Sequence, residues 1–253
     1  MNAIILAAGM GKRMGNLTKN KPKCFLEING VPLIERLIKQ LRNFGVKDIS
    51  IVTGYKSRQF KFSNINFFFN KKYKSTNMVY SLIKAKKKLK KDTLVFYSDI
   101  FLSDKIIKKM LRIKYSDKLS VAIDSKWKKY WKHRFKNINQ DLESLRINKK
   151  NQILEIGKKA MTTKNIDGRF IGVIRFPKKI NKIFLNIWTK TKTRNKSNWG
   201  VSGKSLNKAY MTDLINKLIE KEIKCCAIKF KNGWYEFDNK LDYFKFKNYK
   251  LMN

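Results

Sequence analysis

The chain has 253 residues, 43% of them apolar, which is enough for one large domain or two small ones with a full core. No stretch reaches the roughly 18 consecutive apolar residues of a membrane span. Lys+Arg number 59 against 18 Asp+Glu, a net charge of +41 that suggests a polyanionic partner, yet successive blocks of fifty residues hold between 9 and 15 basic residues each, so the charge marks out no single binding face.

The opening stretch MNAIILAAG lacks a basic segment ahead of its short apolar run. It reads as a first strand, AIILAA (3–8), rather than a secretion signal, and a cytoplasmic location is expected. Cys24, Cys225 and Cys226 have no metal-ligand spacing and are odd in number, which fits reduced thiols. VPLIERLIKQLRNFG (31–45) predicts a helix ended by Gly45. DISIVTG (48–54) and NINFFFN (64–70) predict two strands, and NMVYSLIKAKKKL (77–89) a second helix. Overlapping its end, KAKKKLKK (84–91) is the best local candidate for a polyanion-binding surface, but it also reads as the wet side of an amphipathic helix. The lysines are interspersed with asparagine and isoleucine, the drift that A+T-rich coding DNA produces.

TLVFYSD (93–99) predicts a strand running into a carboxylate, SDKIIKKMLRI (103–113) a helix with Ser103 as its N-cap, and KLSVAID (118–124) another strand. From 125 to 203 the pattern loosens. WKKYWKHRF is aromatic and basic, LESLRIN and NQILEIG predict a hairpin, RFIGVIRF (169–176) alternates as a strand, and KTKTRNKSNWG (190–200) predicts a mobile loop. Regular structure returns with SLNKAYMTDLINKLIEKE (205–222), IKCCAIKF (223–230), GWYEFD (233–238) and a closing helix from about 240. Short apolar runs alternating with helical patterns predict βαβ units in one α/β domain, with a substrate-side insertion over 125–203.

The chemistry concentrates in LAAGMGKRM (6–14), followed by KPK (21–23). Gly9 and Gly11 let the backbone approach a ligand closely, while Lys12, Arg13, Lys21 and Lys23 make that ligand anionic; a phosphate chain fits. The spacing matches neither the dinucleotide-binding glycine motif nor the P-loop, so an ordinary tight turn stays open. In an open parallel sheet ligands sit beyond the carboxyl ends of the strands, where both this segment and Asp99 emerge. Asp99 and Asp238 lie in apolar settings, where a charge is costly unless paired or metal-bound. Two such carboxylates can share one Mg²⁺ with water and phosphate oxygens; each can instead cap the helix that follows it. Glu236, near Trp234, suggests a carboxylate beside aromatic groups for an amine, with Trp127, Tyr130, Trp131 and Tyr210 as further walls. His133, the only histidine, reads as a surface or packing residue.

LAAGMGKRM followed by KPKCFLEINGVPLIERLI resembles the signature of nucleotidyltransferases that couple an NTP to a phosphorylated small molecule. KSTNMVYSLIKA (74–85), LVFYSDI (94–100), DLESLRINKKNQILEIGKK (141–159), GRFIGVIRF (168–176), AYMTDLI (209–215) and NGWYEFDNKLDY (232–243) resemble the subgroup of bacterial cytidylyltransferases for phosphocholine, 2-aminoethylphosphonate and phosphoglutamine. The resemblance covers nearly the whole chain. It implies a Rossmann-like three-layer α/β fold with a mostly parallel central sheet. Residues 1–124 would form the nucleotide-binding half, 125–203 the acceptor-side insertion, and 204–253 the return to the sheet with the second metal ligand.

By the same resemblance, Leu6, Ala7, Ala8 and Gly9 would meet the base and ribose of CTP, with Thr76, Asn77 and Ser81 on the base side. Gly11 and Arg13 would hold the β- and γ-phosphates and Lys23 the α-phosphate, Arg13 and Lys23 being the catalytic pair; Asp99 and Asp238 would ligate Mg²⁺. Lys158, Arg169, Tyr210 and Glu236 would face the acceptor, Lys158 at its phosphate. Arg169 stands where many relatives have an acidic residue or glutamine; it would repel choline and favour an acceptor with an added carboxylate, or else point to solvent. The activity implied is a Mg²⁺-dependent transfer from CTP to a phosphorylated or phosphonylated amine or amino-acid derivative with loss of pyrophosphate, serving surface-polysaccharide or phospholipid head-group assembly. A sugar-1-phosphate nucleotidylyltransferase and a basic nucleic-acid-binding protein without catalysis are the competing expectations.

Overall fold

The computed structural model describes residues 1–193 and 198–248. In chain order, β1 (Asn2–Ala7) leads through two short 3-10 turns to the hairpin β2 (Glu27–Ile28) and β3 (Val31–Pro32), then α1 (Leu33–Asn43), β4 (Asp48–Thr53), β5 (Asn66–Phe69) and α2 (Met78–Lys84). Next come β6 (Thr93–Tyr97), β7 (Ile100–Leu102), α3 (Asp104–Arg112), β8 (Leu119–Asp124) and α4 (Trp127–Arg134). The hairpin β9 (Glu143–Ile147) and β10 (Ile153–Lys159) precedes β11 (Arg169–Phe176), α5 (Lys178–Thr193), α6 (Met211–Ile219), β12 (Cys225–Phe230), β13 (Trp234–Glu236) and α7 (Lys240–Phe246).

Seven strands form one sheet in the order β12-β8-β11-β6-β1-β4-β5. All neighbours run parallel except β11, which is antiparallel to both β6 and β8. Apolar cores cover both faces. Along β1, Ala3, Ile5 and Ala7 join the core beneath α1, α3 and α4, while Ile4 and Leu6 join the one beneath α2, α5 and α6. Alternate side chains point to opposite faces, so a strand buried on both sides reads as the unbroken apolar run AIILAA. The result is the three-layer α/β fold with a mostly parallel sheet that the sequence leads one to expect.

In α1 the buried residues Leu33, Ile34, Leu37, Ile38 and Leu41 recur at helical spacing. Ser103 stands at the N-cap of α3 without a side-chain cap bond; its backbone N–H instead donates to Gly233 O at 2.8 Å. The expected strand and helix over 64–70 and 77–89 are shorter, the second passing into a 3-10 turn at Lys86–Lys90, and residues 205–222 divide into a 3-10 turn and α6. WKKYWKHRF forms α4, and the anticipated hairpin is β9–β10.

Segment 125–203 does more than insert. It supplies β11 to the middle of the sheet and α5 to one face, with only β9–β10 paired outside the main sheet. The helix α5 has no counterpart among the sequence expectations. It runs through Thr193, so the loop expected over 190–200 begins later, and 194–197 lie outside the described residues.

Candidate active site

A cavity of about 590 Å³ opens where β1 and β6 end. At its floor, the loop after β1 turns at Gly11, whose backbone is left-handed (φ 62°, ψ 31°). A Cβ there would stand 3.0 Å from Lys23 Cβ and 3.2 Å from Thr18 Cγ2. Both the turn and the close passage of Lys23 therefore call for glycine. Gly11→Ala is expected to cost about 1–2 kcal/mol in stability and to lower turnover by displacing Lys23; urea unfolding and steady-state kinetics check both, and an unchanged protein by either measure would refute the strain.

Two carboxylates from distant parts of the chain meet at Lys23. The short ladder of β13 against β7 sets Glu236 opposite Ile100, and Phe237 N–H continues it to Asp99 O at 3.2 Å. That register brings Asp99 and Asp238 to one place. Lys23 Nζ donates to Asp99 Oδ2 at 2.8 Å and to Asp238 Oδ1 at 3.2 Å, and Arg13 Nη2 reaches Asp238 Oδ1 at 3.1 Å. Neither acid is a cap. Helix α3 starts beyond Asp99, and α7 is capped by Asn239, whose side chain accepts from Asp242 N–H at 3.0 Å.

Behind these groups lies a residue that sequence reasoning missed. Arg134, at the end of α4 with a side chain 1% exposed, serves three acids. Its Nη1 donates to Glu236 Oε2 at 2.8 Å, its Nη2 to Asp238 Oδ2 at 3.0 Å and Asp242 Oδ2 at 2.9 Å, and its Nε to Asp242 Oδ1 at 3.0 Å. Asp242 Oδ2 also accepts from Asp238 N–H at 2.9 Å. The signal was present: Glu236, Asp238 and Asp242 fall within seven residues of one another, and acids that are buried together demand a cation.

The charges act on one another. Burial works against ionisation of Asp238, but Lys23, Arg134 and Arg13 outweigh it and hold the carboxyl well below the usual range. Burial pushes Glu236 up, to about 8, with Asp238 adding repulsion and Arg134 pulling the other way. Lys23 is raised: burial opposes its charge, but Asp99 and Asp238 together prevail. Asp99 and Asp238 thus meet at Lys23, while Glu236 and Asp242 are tied to Arg134 behind them. Two hard oxygen donors brought together in this way suit a divalent cation such as Mg²⁺ whose remaining ligands are phosphate and water oxygens.

Leu6, Ala7, Ala8, Gly9, Gly11 and Arg13 line the cavity, as do Thr76, Asn77, Ser81, Arg169, Tyr210 and Glu236. The Thr76 and Ser81 hydroxyls both accept from buried Asn70 Nδ2, at 3.0 and 3.1 Å, and the Asn77 side chain accepts from Met78 N–H at the start of α2. Lys158 is the exception: it does not line the cavity, and its Nζ is paired with Glu155 at 2.5 Å. The aromatic walls are only partly there. Trp127 and Trp131 are buried in the core and outside the lining, Tyr130 brackets the Glu236 backbone through its hydroxyl, and of the expected walls Trp234 and Tyr210 reach the cavity, which Tyr73, Tyr97 and Phe170 also line. Arg169 does not point to solvent; it is buried with its guanidinium 4.0 Å from the Trp131 ring centroid. All three cysteines are free, and His133 is exposed on α4.

Residues 3–150 match the MobA-like NTP transferase domain. The chain is 32% identical to the CTP:phosphoglutamine cytidylyltransferase of Campylobacter jejuni over 94% of its own length and 96% of the relative's. It is 38% identical to the 2-aminoethylphosphonate cytidylyltransferase of Lancefieldella rimae over 42% of this chain and 46% of that one. Among solved structures, the CTP:phosphocholine cytidylyltransferase of Streptococcus pneumoniae superposes with a TM-score of 0.75 over 97% of both chains at 24% identity, a likeness of fold.

Proposed function

This chain belongs to the MobA-like NTP transferase family, and from that premise we propose that it is a Mg²⁺-dependent cytidylyltransferase. It joins CTP to a phosphorylated or phosphonylated small amine or amino-acid derivative and releases pyrophosphate. The observation that carries this reading is the meeting of Lys23, Asp99 and Asp238 beside the Gly11 turn, at the floor of a cavity large enough for a nucleotide and a second small molecule. The names of the relatives support CTP as donor and a phosphorylated or phosphonylated acceptor.

The chemistry asks little covalent work of the protein. A phosphate or phosphonate acceptor has a second pKa near about 6, so at neutral pH it is already a nucleophile and needs no general base. What remains is to place the attacking oxygen in line with the leaving pyrophosphate and to balance charge in the transition state. In this reading the backbone from Leu6 to Gly9 and the side chains of Thr76, Asn77 and Ser81 hold the nucleoside. Gly11 and Arg13 hold the β- and γ-phosphates, and Lys23 sets its ammonium against the α-phosphate.

Asp99 and Asp238 would hold the metal ion, which when bound supplies positive charge to the triphosphate. Among the described residues no trio of His, Cys, Asp or Glu is grouped to hold a metal by itself, so phosphate oxygens and water would complete the coordination. Arg134 keeps Asp238 ionised and fixed from behind. No helix among the described residues is long and apolar enough to cross a membrane.

A pyrophosphate-release assay with CTP, UTP, GTP and dTTP against phosphocholine, aminoethylphosphonate, phosphoglutamine and glucose-1-phosphate tests the proposal. CTP with an amine- or amino-acid-bearing acceptor should give Mg²⁺-dependent release that Asp99→Ala abolishes. Release with a sugar phosphate and another NTP would favour a sugar-1-phosphate nucleotidylyltransferase. Silence with every pair, together with RNA binding of steep salt dependence, would make the chain a nucleic-acid binder.

A further inference from the structure

We propose that Arg169 and Glu143 form a receptor for the charged end of the acceptor, the guanidinium taking a carboxylate and Glu143 an ammonium. The protein would then select a phosphorylated or phosphonylated α-amino acid over the analogue lacking the carboxylate; this rests on the cytidylyltransferase reading above.

Arg169 opens β11, pairs in register with Asp124 of β8, lines the cavity and is about nine-tenths buried. Stacking on Trp131 holds its guanidinium plane but brings no countercharge. Its Nη1 is buried with no hydrogen-bond partner among the described residues. Arg134, at similar depth, is bonded to three carboxylates; among the described residues Arg169 makes no such ion pair. A buried cation in this state is costly, and its place in the cavity lining makes an anionic ligand the natural relief.

Carboxylates near Arg169 decide which anion fits. Glu143, on β9, lines the same cavity with its side chain open to it, within the field of the Arg169 charge. Asp141 lines it too, and Glu236 also lies in the field of Arg169 but is bonded to Arg134. A phosphate dianion at Arg169 would meet repulsion from Glu143. A carboxylate with an ammonium on the neighbouring carbon satisfies both signs at once. The ring of Trp131 is not available to a quaternary ammonium, because both Arg169 and Arg134 lie over it, at 4.0 and 5.0 Å.

O-phosphoserine and O-phosphoethanolamine differ by one carboxylate and share the phosphate and the ammonium. Both are titrated calorimetrically into the full chain, and both are assayed as acceptors with CTP. The wild-type chain is expected to bind phosphoserine at least about tenfold more tightly, and Arg169→Gln to erase that preference while leaving phosphoethanolamine within about threefold. Glu143→Gln, which removes the ammonium partner, is expected to weaken both ligands by a similar factor and to keep the preference. Equal binding of the pair by the wild type, binding of neither, or an equal loss of both in Arg169→Gln overturns the receptor; the last would make Arg169 a phosphate ligand. Failure of the broader reading shows separately, as CTP giving no pyrophosphate with any acceptor while the binding preference is still measured.

Discussion

Replacing Arg134 by methionine is expected to lower the unfolding free energy by about 3–5 kcal/mol, the range seen when one partner of a buried ion pair is removed. The side chain satisfies Glu236, Asp238 and Asp242 together, and all three are held in its reach by the turn between β13 and α7. Methionine fills much of the volume but takes from Glu236 and Asp242 the cation that bonds them and leaves Asp238 to Lys23 and Arg13 alone, so the loss comes from charge and not from a cavity. Arg134→Lys should recover little of it. One ammonium cannot replace three differently directed nitrogens, Nε, Nη1 and Nη2, each bonded to its own carboxylate oxygen. Urea denaturation of the three proteins settles the point: a loss below about 1 kcal/mol in the methionine variant would mean that the acids shed their charge at little cost.

Lys23→Ala should act on rate far more than on affinity. A fall in kcat of about 10²–10³, comparable to losing one preorganised donor to a developing charge, is expected with CTP affinity changed by less than about tenfold. The reason lies in its placement. Lys23 is nearly enclosed and shared between Asp99 and Asp238, so its charge is fixed in position before the substrate arrives. Arg13, by contrast, is 69% exposed in its side chain and makes a single ion pair to Asp238, as expected of a group that greets the outer phosphates. Equal losses in kcat and in CTP binding by Lys23→Ala would place the lysine in ground-state binding instead.

How much of this was legible in the sequence depended on whether a feature was local. The double-sided burial of β1 is written in AIILAA, and α1 in the spacing of Leu33, Ile34, Leu37, Ile38 and Leu41. The pattern for α5 was equally present, with Ile180, Phe184 and Trp188 buried four residues apart and Ile183, Leu185 and Ile187 between them packed against the same core. The acid pair could be nominated because a carboxylate at the end of an apolar strand needs a partner. Its completion by Arg134 could not, since the arginine belongs to a helix more than a hundred residues away in the chain. For the same reason the sequence could not tell which aromatic residues face the cavity: Trp131 is adjacent to Tyr130 in sequence, yet its ring lies under two arginines.

The three-residue ladder between β7 and β13 also sets an order on how the molecule comes into being. Asp99 leaves the ribosome well before Asp238, and until the later strand zips onto the earlier one Lys23 has only half of its anchorage. A nascent chain can thus finish much of its sheet while remaining chemically inert, and becomes competent only when its late segment folds back across the early one.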